Sequence, residues 1–591
     1  MRVHKTSGTT RRHKTAAATA LVILLAAPAA LAADRTPREE FTREFAKTVP
    51  WTAGQAVRFE HRMGSITVHT HQLKEVQIRA SLRCSANRLE DAKDYCNRIE
   101  IAVLTTGSIF IQTKYPQQED SFWNRRNIGY SVNYDVSLPE TAPLEVRNRF
   151  GNVAVTGLKA SAGIENSNGT LTFRDGRGTQ RLENSFGAVE VANNTGDVEV
   201  TNSNGAVTVN DIEGVLRLRN RFGRVAVTKV SRGVTLHNSN GEVQLSDAGG
   251  PSSVTNSFGG VTVGAIRGDL IVQNQNGGVD ARGVAGTAEL ATSFGSITFD
   301  DLKKWARVTA TNSKITGGRV GEYLTVRTNF GPVDVRDVGG ALEVENSNGK
   351  IFARQARGSA ILKTSFGEID ASDITGNVDA TNSNARVTLR TIGGAASVRG
   401  SFGSIDVSGV KKGVRIVSGN GSVTLLDAGG DTYVKTSFGL LRASQIEGSL
   451  TAENSNGGVQ ASGVTGAANV RTSFGGVSLD GVGGAVDVDN QNGSVEVRAN
   501  GHAGCQPIAA RTTFSVMRVY VPDGTNYDVE ARTSFGKVIS EHAISVTGEV
   551  GGSALTGKMG SGGCVLRLIN SNGNVEILKA AGIAVTPAKK R

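Results

Sequence analysis

The property that most limits what this chain can fold into is a fixed period. The motif Arg149-Phe150-Gly151, elsewhere mostly Ser-Phe-Gly, returns at Phe186, Phe222, Phe258, Phe294, Phe330, Phe366, Phe402, Phe438 and Phe474, always at the same 36-residue interval. Midway between lies Asn-Ser-Asn-Gly or a relative, at Asn168, Asn204, Asn240, Asn276, Asn348, Asn384, Asn420, Asn456 and Asn492. The unit is therefore half that interval, with Phe and Asn alternating at one corner. A period of this length marks a repeat architecture. With the corner residue as position zero, Gly follows at one, aliphatics at three, five and often eight, Gly near ten, aliphatics at twelve and fourteen, and Asn or Thr at sixteen.

Apolar residues two apart, broken by Gly turns, read as short strands. Two such strands cannot bury an apolar face alone, but stacked units form a continuous core. Identical offsets in every unit favour parallel in-register coils over hairpins. Between 146 and 498 the only prolines are Pro251 and Pro332, both beside glycines, as expected where strands are paired on both sides. The fold expected is all-β: a parallel β-helix (β-solenoid) of 18-residue coils paired into 36-residue repeats, with irregular capping modules at both ends. The Asn column at offset sixteen (Asn148, Asn166, Asn184, Asn202, Asn220, Asn238, Asn256) suits a stacked amide ladder at a bend. Offsets twelve, fourteen, sixteen and eighteen share parity, so the same alternation predicts that the Phe column faces inward with the Asn column. On that reading Phe258→Ala is a core mutation.

Five sections follow from the pattern. Residues 1–32 read as a signal peptide, with a basic start, the apolar run Ala16 to Ala27, and Ala30-Leu31-Ala32 as cleavage pattern. Arg11-Arg12 is followed by residues that match a twin-arginine signal poorly. Residues 33–145 read as an N-terminal capping module whose first part, 33–50, is a mobile or weakly helical lead, with a short helix within Asn87 to Arg98. The regular solenoid is 146–498, the C-terminal capping module 499–580, and 581–591 a basic disordered tail. After Phe294 the repeat reads as disturbed: Asp300, Asp301 and Trp305 intrude, and the Asn312-Ser313-Lys314 corner reads as two residues late. These three residues form a candidate binding spot.

The ends carry a resemblance. Ser65-Ile66-Thr67-Val68, the helix-containing insertion, and Val132 to Pro139 leading into Phe150-Gly151-Asn152-Val153 resemble the uncharacterised bacterial "putative adhesin" β-repeat family. So do Val519-Tyr520-Val521-Pro522 and Thr533-Ser534-Phe535-Gly536 near the other end, and Asn570-Ser571-Asn572-Gly573 after them. The resemblance implies a right-handed β-helix in an exported envelope protein. It brings no catalytic residues.

Composition narrows the rest. Removing the five basic residues of the leader lowers the net charge from +11 to +6 (60 basic against 54 acidic residues). The remaining charge alternates in sign, and no basic block carries interleaved aromatics, so nucleic acid is not expected. No later segment is long and apolar enough to span a bilayer. The four cysteines fall in local pairs, Cys84 with Cys96 and Cys505 with Cys564, which favours disulfides in an exported chain. His61, His69 and His71 lack a further ligand and read as strand histidines, so no metal or other cofactor is expected. No dense cluster of carboxylates marks a hydrolase or lyase. The sequence points to a monomeric, non-enzymatic rod that serves as a structural or adhesin-like binding module, periplasmic or at the cell surface. Its partner would be an envelope protein or a polysaccharide. A carbohydrate-active enzyme on the same helix, or an envelope-stress sensor or scaffold, are the alternatives.

Overall fold

A computed structural model of the chain describes residues 38–116, 128–500, 506–547 and 551–580. The expected leader (1–32), the tail (581–591) and Cys505 lie outside them. The described chain forms a parallel β-solenoid of about 21 coils with a spacing near 18 residues. Each coil contributes one strand to each of two sheets. Sheet 1 collects the strands that follow the corners, such as Val189–Thr195 and Val207–Glu213. Sheet 2 collects those that lead into the corners, such as Gln180–Phe186 and Val198–Asn204. Pairing is parallel with a shift of one coil: Val189 lies beside Val207, and Leu182 beside Val200. The aliphatics at three, five, twelve and fourteen fill the space between the sheets, almost all of them fully buried.

The second half of sheet 1 owes its apolar residue at eight to a local kink. Offset seven is left-handed in coil after coil, at Asp175, Asn193, Asp211, Lys229 and Asp247 (φ 54 to 58°), and glycine takes the place at Gly283, Gly409, Gly463 and Gly481. That extra residue reverses the alternation, so Asn194, Ile212 and Val230 turn inward at eight. Asp and Asn tolerate this conformation better than other side chains.

The corner explains two columns at once. Asn184 is buried at offset sixteen and its Nδ2 donates to the carbonyls of Gly169 and Gly187, both 3.1 Å away. Along the column Asn148, Asn202 and Asn220 each donate to the amide oxygen of the next coil's Asn at 3.1–3.2 Å, which is the ladder expected. Gly187 follows the Phe with φ 126°, and a Cβ there would lie 2.2 Å from the carbonyl oxygen of Gly169. The amide therefore fills the inside of the bend, and the next coil's backbone closes it. No room remains for a ring. The expectation that the Phe column is buried is overturned: from Phe150 to Phe474 the ten rings are 38–63% exposed. The parity argument failed because the strand's alternation stops at offset sixteen, where the chain begins to turn.

Two other expectations are corrected. Residues 39–50 form no mobile or helical lead. Glu39–Pro50 is a strand that pairs antiparallel with Glu75–Ala86. Nor is there a late corner after Phe294. Phe294 pairs with Asn312 and Asn312 with Phe330, so that coil keeps the regular length. Ala306 and Val308 hold offsets twelve and fourteen, and Ser313 takes the place of the corner glycine.

Both ends change from parallel to antiparallel pairing. At the start, Gly129–Pro139 lies on Ile66–His71, Glu75–Ala86 runs antiparallel to it, and Glu39–Pro50 forms the outermost strand. That edge carries Glu39, Glu40, Arg43, Glu44, Lys47 and Pro50, residue types that discourage pairing with another chain. The helix Leu89–Arg98 buries Ala92, Tyr95 and Cys96 against these strands, and Cys96 is bonded to Cys84. At the other end Cys564–Asn572 is wedged between Ile508–Phe514 and Tyr527–Phe535, and Ala554–Met559 runs antiparallel beyond them. Cys564 is also disulfide-bonded. Deleting 499–578 would strip this module from the strands Val486–Asn492 and Val495–Ala499. The truncated chain is expected to self-associate in sedimentation velocity, whereas a soluble monomer would refute a protective role for the module.

Candidate functional site

The outward Phe column is the most regular feature of the surface. Phe and Asn alternate along it, so rings recur every second coil, or roughly every 9.6 Å. Phe514 and Phe535, on either side of Asn572, extend the column and are 51% and 76% exposed. The intervening amides fold back. Nδ2 of Asn168, Asn348 and Asn384 donates to the carbonyls of Arg149, Asn329 and Ser365 in the preceding coil at 2.9–3.1 Å. The residue before the ring matters too. Arg149 and Arg221 set their guanidinium groups 6.0 and 5.3 Å from the rings of Phe150 and Phe222. Where the motif reads Ser-Phe-Gly no such cover is available.

The three residues singled out after Phe294 are differently employed. Asp301 (φ 59°) occupies the left-handed position at seven and is ion-paired with Lys303, while Asp300 is paired with Arg319. Their charges are thus balanced locally. Trp305 lies beyond the turn, at the start of sheet 2. Its ring stacks on Tyr323 of the next coil at 5.6 Å and 7°, and Arg307 lies 5.8 Å from its centre. The structure does not join the two acids and the indole into one site.

A second surface feature was not anticipated. An open trough of about 750 Å³ runs along the outer face of sheet 2 from Ser359 to Thr451. Its floor follows offsets eleven and thirteen. Earlier in the chain offset thirteen carries Arg181, Glu199 and Arg217, long side chains joined by ion pairs such as Arg181–Glu199. In the trough the same column begins at the exposed Ile361, runs through Asp379, Ser397, Arg415 and Tyr433 and ends at Thr451, while the middle of offset eleven reads Ala395, Gly413, Asp431. Small residues leave the depression. The Arg415 guanidinium lies 4.5 Å from the centre of the Tyr433 ring. Asp379 accepts from Arg399 at 3.2 Å, and Asp431 Oδ1 accepts from the Ser449 N–H at 2.9 Å. Reading offset thirteen as one column across coils would have revealed it.

The histidines do not converge. His61 is buried at the head of the Asn column, beside Asn148, and its Nδ1 is 2.9 Å from Thr113 Oγ1. His69 points to solvent, and His71 Nδ1 accepts from the Leu73 N–H. Among the described residues no group of three or more His, Cys, Asp or Glu is placed to hold a metal ion, and no helix is long and apolar enough to cross a membrane.

No protein-family model matches the chain, and no curated protein matches it. Among solved structures it is similar to one described as a "putative cell adhesion protein" from Clostridium sporogenes. The identity is 10%, the TM-score 0.20, and the match covers 40% of this chain and all of the other.

Proposed function

We propose that this protein is an exported, non-enzymatic adhesin-like rod of the bacterial cell envelope, whose exposed Phe column binds a repetitive partner by many weak contacts. The observation that carries the reading is the exposure of all ten rings at one corner of a regular repeat. A buried column would serve packing alone. The half-exposed rings are not needed to fill the bend, which Asn occupies and Gly closes. A regular row of exposed apolar rings is the kind of surface that marks an interaction site. Each ring offers a face for stacking, and repetition turns modest single contacts into strong overall attachment. The leader-like start, the cystine of the N-terminal module and the motif resemblance to the adhesin-like repeat family support export and an envelope setting.

The test separates binding from folding. Phe258→Ala should leave the denaturation midpoint almost unchanged, within about 0.5 kcal/mol, because a half-exposed ring leaves no cavity. Full-length variants with two, four and six rings of the column replaced by Ser should then lose attachment to immobilised bacterial envelope fragments progressively, about threefold or more per pair. A six-fold variant that attaches as well as the parent, or a parent that does not attach at all, would refute the reading.

A further inference from the structure

We infer that the trough on sheet 2 is a binding site for a linear, neutral oligosaccharide lying along the solenoid axis. The inference deepens the adhesin reading by naming a ligand class, but it rests on other residues. The Phe column stands just beyond the far end of the same strands, five residues from offset thirteen.

Shape comes first. The trough crosses six successive coils, so its length is roughly 24 Å at the strand spacing, and its volume falls within the range of small-molecule sites. It is open at the side and long in one direction, which suits a segment of an extended polymer. An extended pyranose chain advances by a distance similar to one coil per ring, so successive rings would meet successive coils in register.

Chemistry narrows the polymer. The N–H and C=O groups of the strands beneath are already used from coil to coil, as from Ser397 to Arg415 and from Arg415 to Tyr433. A peptide laid here could not add a strand to a sheet edge, which is how extended peptides gain most of their affinity. Only side chains remain for recognition. Among them are a hydroxyl (Ser397), carboxylates that still have acceptor capacity (Asp379, Asp431), a guanidinium (Arg415), an aromatic ring covered on one face by that guanidinium (Tyr433) and the exposed apolar Ile361 at one end. That set matches a ligand with hydroxyls around its rim and an apolar ring face. Charge agrees with a neutral ligand. Arg399 balances Asp379, and Arg415 and Asp431 offset each other along the same floor.

The experiment uses the full chain and a panel of neutral linear hexasaccharides: β-1,4-linked glucose, β-1,4-linked N-acetylglucosamine and α-1,4-linked glucose. Binding is followed by saturation-transfer NMR and calorimetry. At least one should bind, and Tyr433→Ala and Ser397→Trp should each weaken it tenfold or more. Both positions face outward, so circular dichroism should be unchanged; if Ser397→Trp perturbs it, Ser397→Arg replaces it as the blocking variant. The six-fold Phe variant should bind the hexasaccharide normally even where it has lost envelope attachment, so the two readings can fail independently. The inference is overturned if no member of the panel binds, if binding survives the blocking variant, or if unstructured decapeptides bind in the trough in place of the sugars.

Discussion

Gly317→Val should destabilise the solenoid by about 3 kcal/mol, and adding Phe299→Val should restore most of the loss. At offset five most coils carry Val, Leu or Ala, but two carry Phe, at Phe173 and at Phe299, the latter 1% exposed. The neighbours of Phe299 in the column are Ala281 and Gly317. A Cβ at Gly317 would lie 2.2 Å from two atoms of the Phe299 ring, so no side chain fits while that ring is present. The large residue has been accommodated by emptying the coil after it. Phe299→Ala alone should cost about 3–5 kcal/mol, because the neighbouring coils are held in place by their own pairing and cannot collapse into the cavity. The double variant places valine beside valine, the arrangement found at Val191, Val209 and Val227. A double-mutant cycle in urea should therefore give a coupling of about 2 kcal/mol or more between positions 299 and 317. Additive losses would mean that the two positions do not share one volume. Phe173 repeats the device within a coil, where a Cβ at Gly176 would lie 2.3 Å from the ring.

Such pairings bear on how much of this molecule can be read from its sequence. The coils, the two sheets, the inward aliphatics and the Asn ladder were legible because each rests on a strict period, and a period survives noise at single sites. Phe299 beside Gly317 was legible in principle, since residues one period apart are neighbours once the fold is known. The orientation of Phe186 and its equivalents was not. It depends on where alternation stops, and that is set by the Asn184 amide bonding to Gly169 and Gly187 rather than by any apolar pattern. The strand Glu39–Pro50 was hidden because an edge strand lies half in solvent and its charges mask the alternation of Phe41, Phe45 and Val49. Of the candidate sites, the Phe column was visible as a motif but assigned the wrong face. Asp301 was visible as an oddity, but its left-handed backbone gives it a structural place in a column shared with Asp175, Asp211 and Asp247. The trough could not be seen as a motif, because it rests on a few small residues, Ser397 in one column and Ala395 and Gly413 beside it, while Asp379 and Arg415 keep that column charged as elsewhere.

Acid should loosen the N-terminal module through His61. This side chain heads the column that Asn148 and Asn166 continue, and only 6% of its surface meets solvent. Tyr134 packs edge-on against its ring at 5.1 Å, and Tyr115 lies 6.4 Å away. Burial lowers its pKa to about 4, offset only in part by backbone groups at Val132 and Met63. The tyrosines around it do not compete for protons in this range: burial pushes Tyr134 up to about 12 and raises Tyr115 as well. An unfolded histidine titrates near 6.5, so between about pH 6.5 and 4 the unfolded chain binds a proton that the folded one refuses. The contribution of neutral His61 is therefore complete above pH 6.5 and is lost as the pH falls through that window, by about 3 kcal/mol at its lower end. Carboxylates titrate over part of the same range, so the comparison must be with a variant. His61→Asn suits the site, because the next residue in the column is already Asn. It gives up the 2.9 Å bond to Thr113, at a cost of about 1 kcal/mol that does not vary with pH. Urea midpoints measured at pH 7 and pH 4 should fall much further in the parent than in His61→Asn, and the two curves should converge or cross as the solution is acidified. Parallel curves would mean that His61 is protonated in the folded protein, and that the Thr113 and Tyr115 hydroxyls accept from an imidazolium instead.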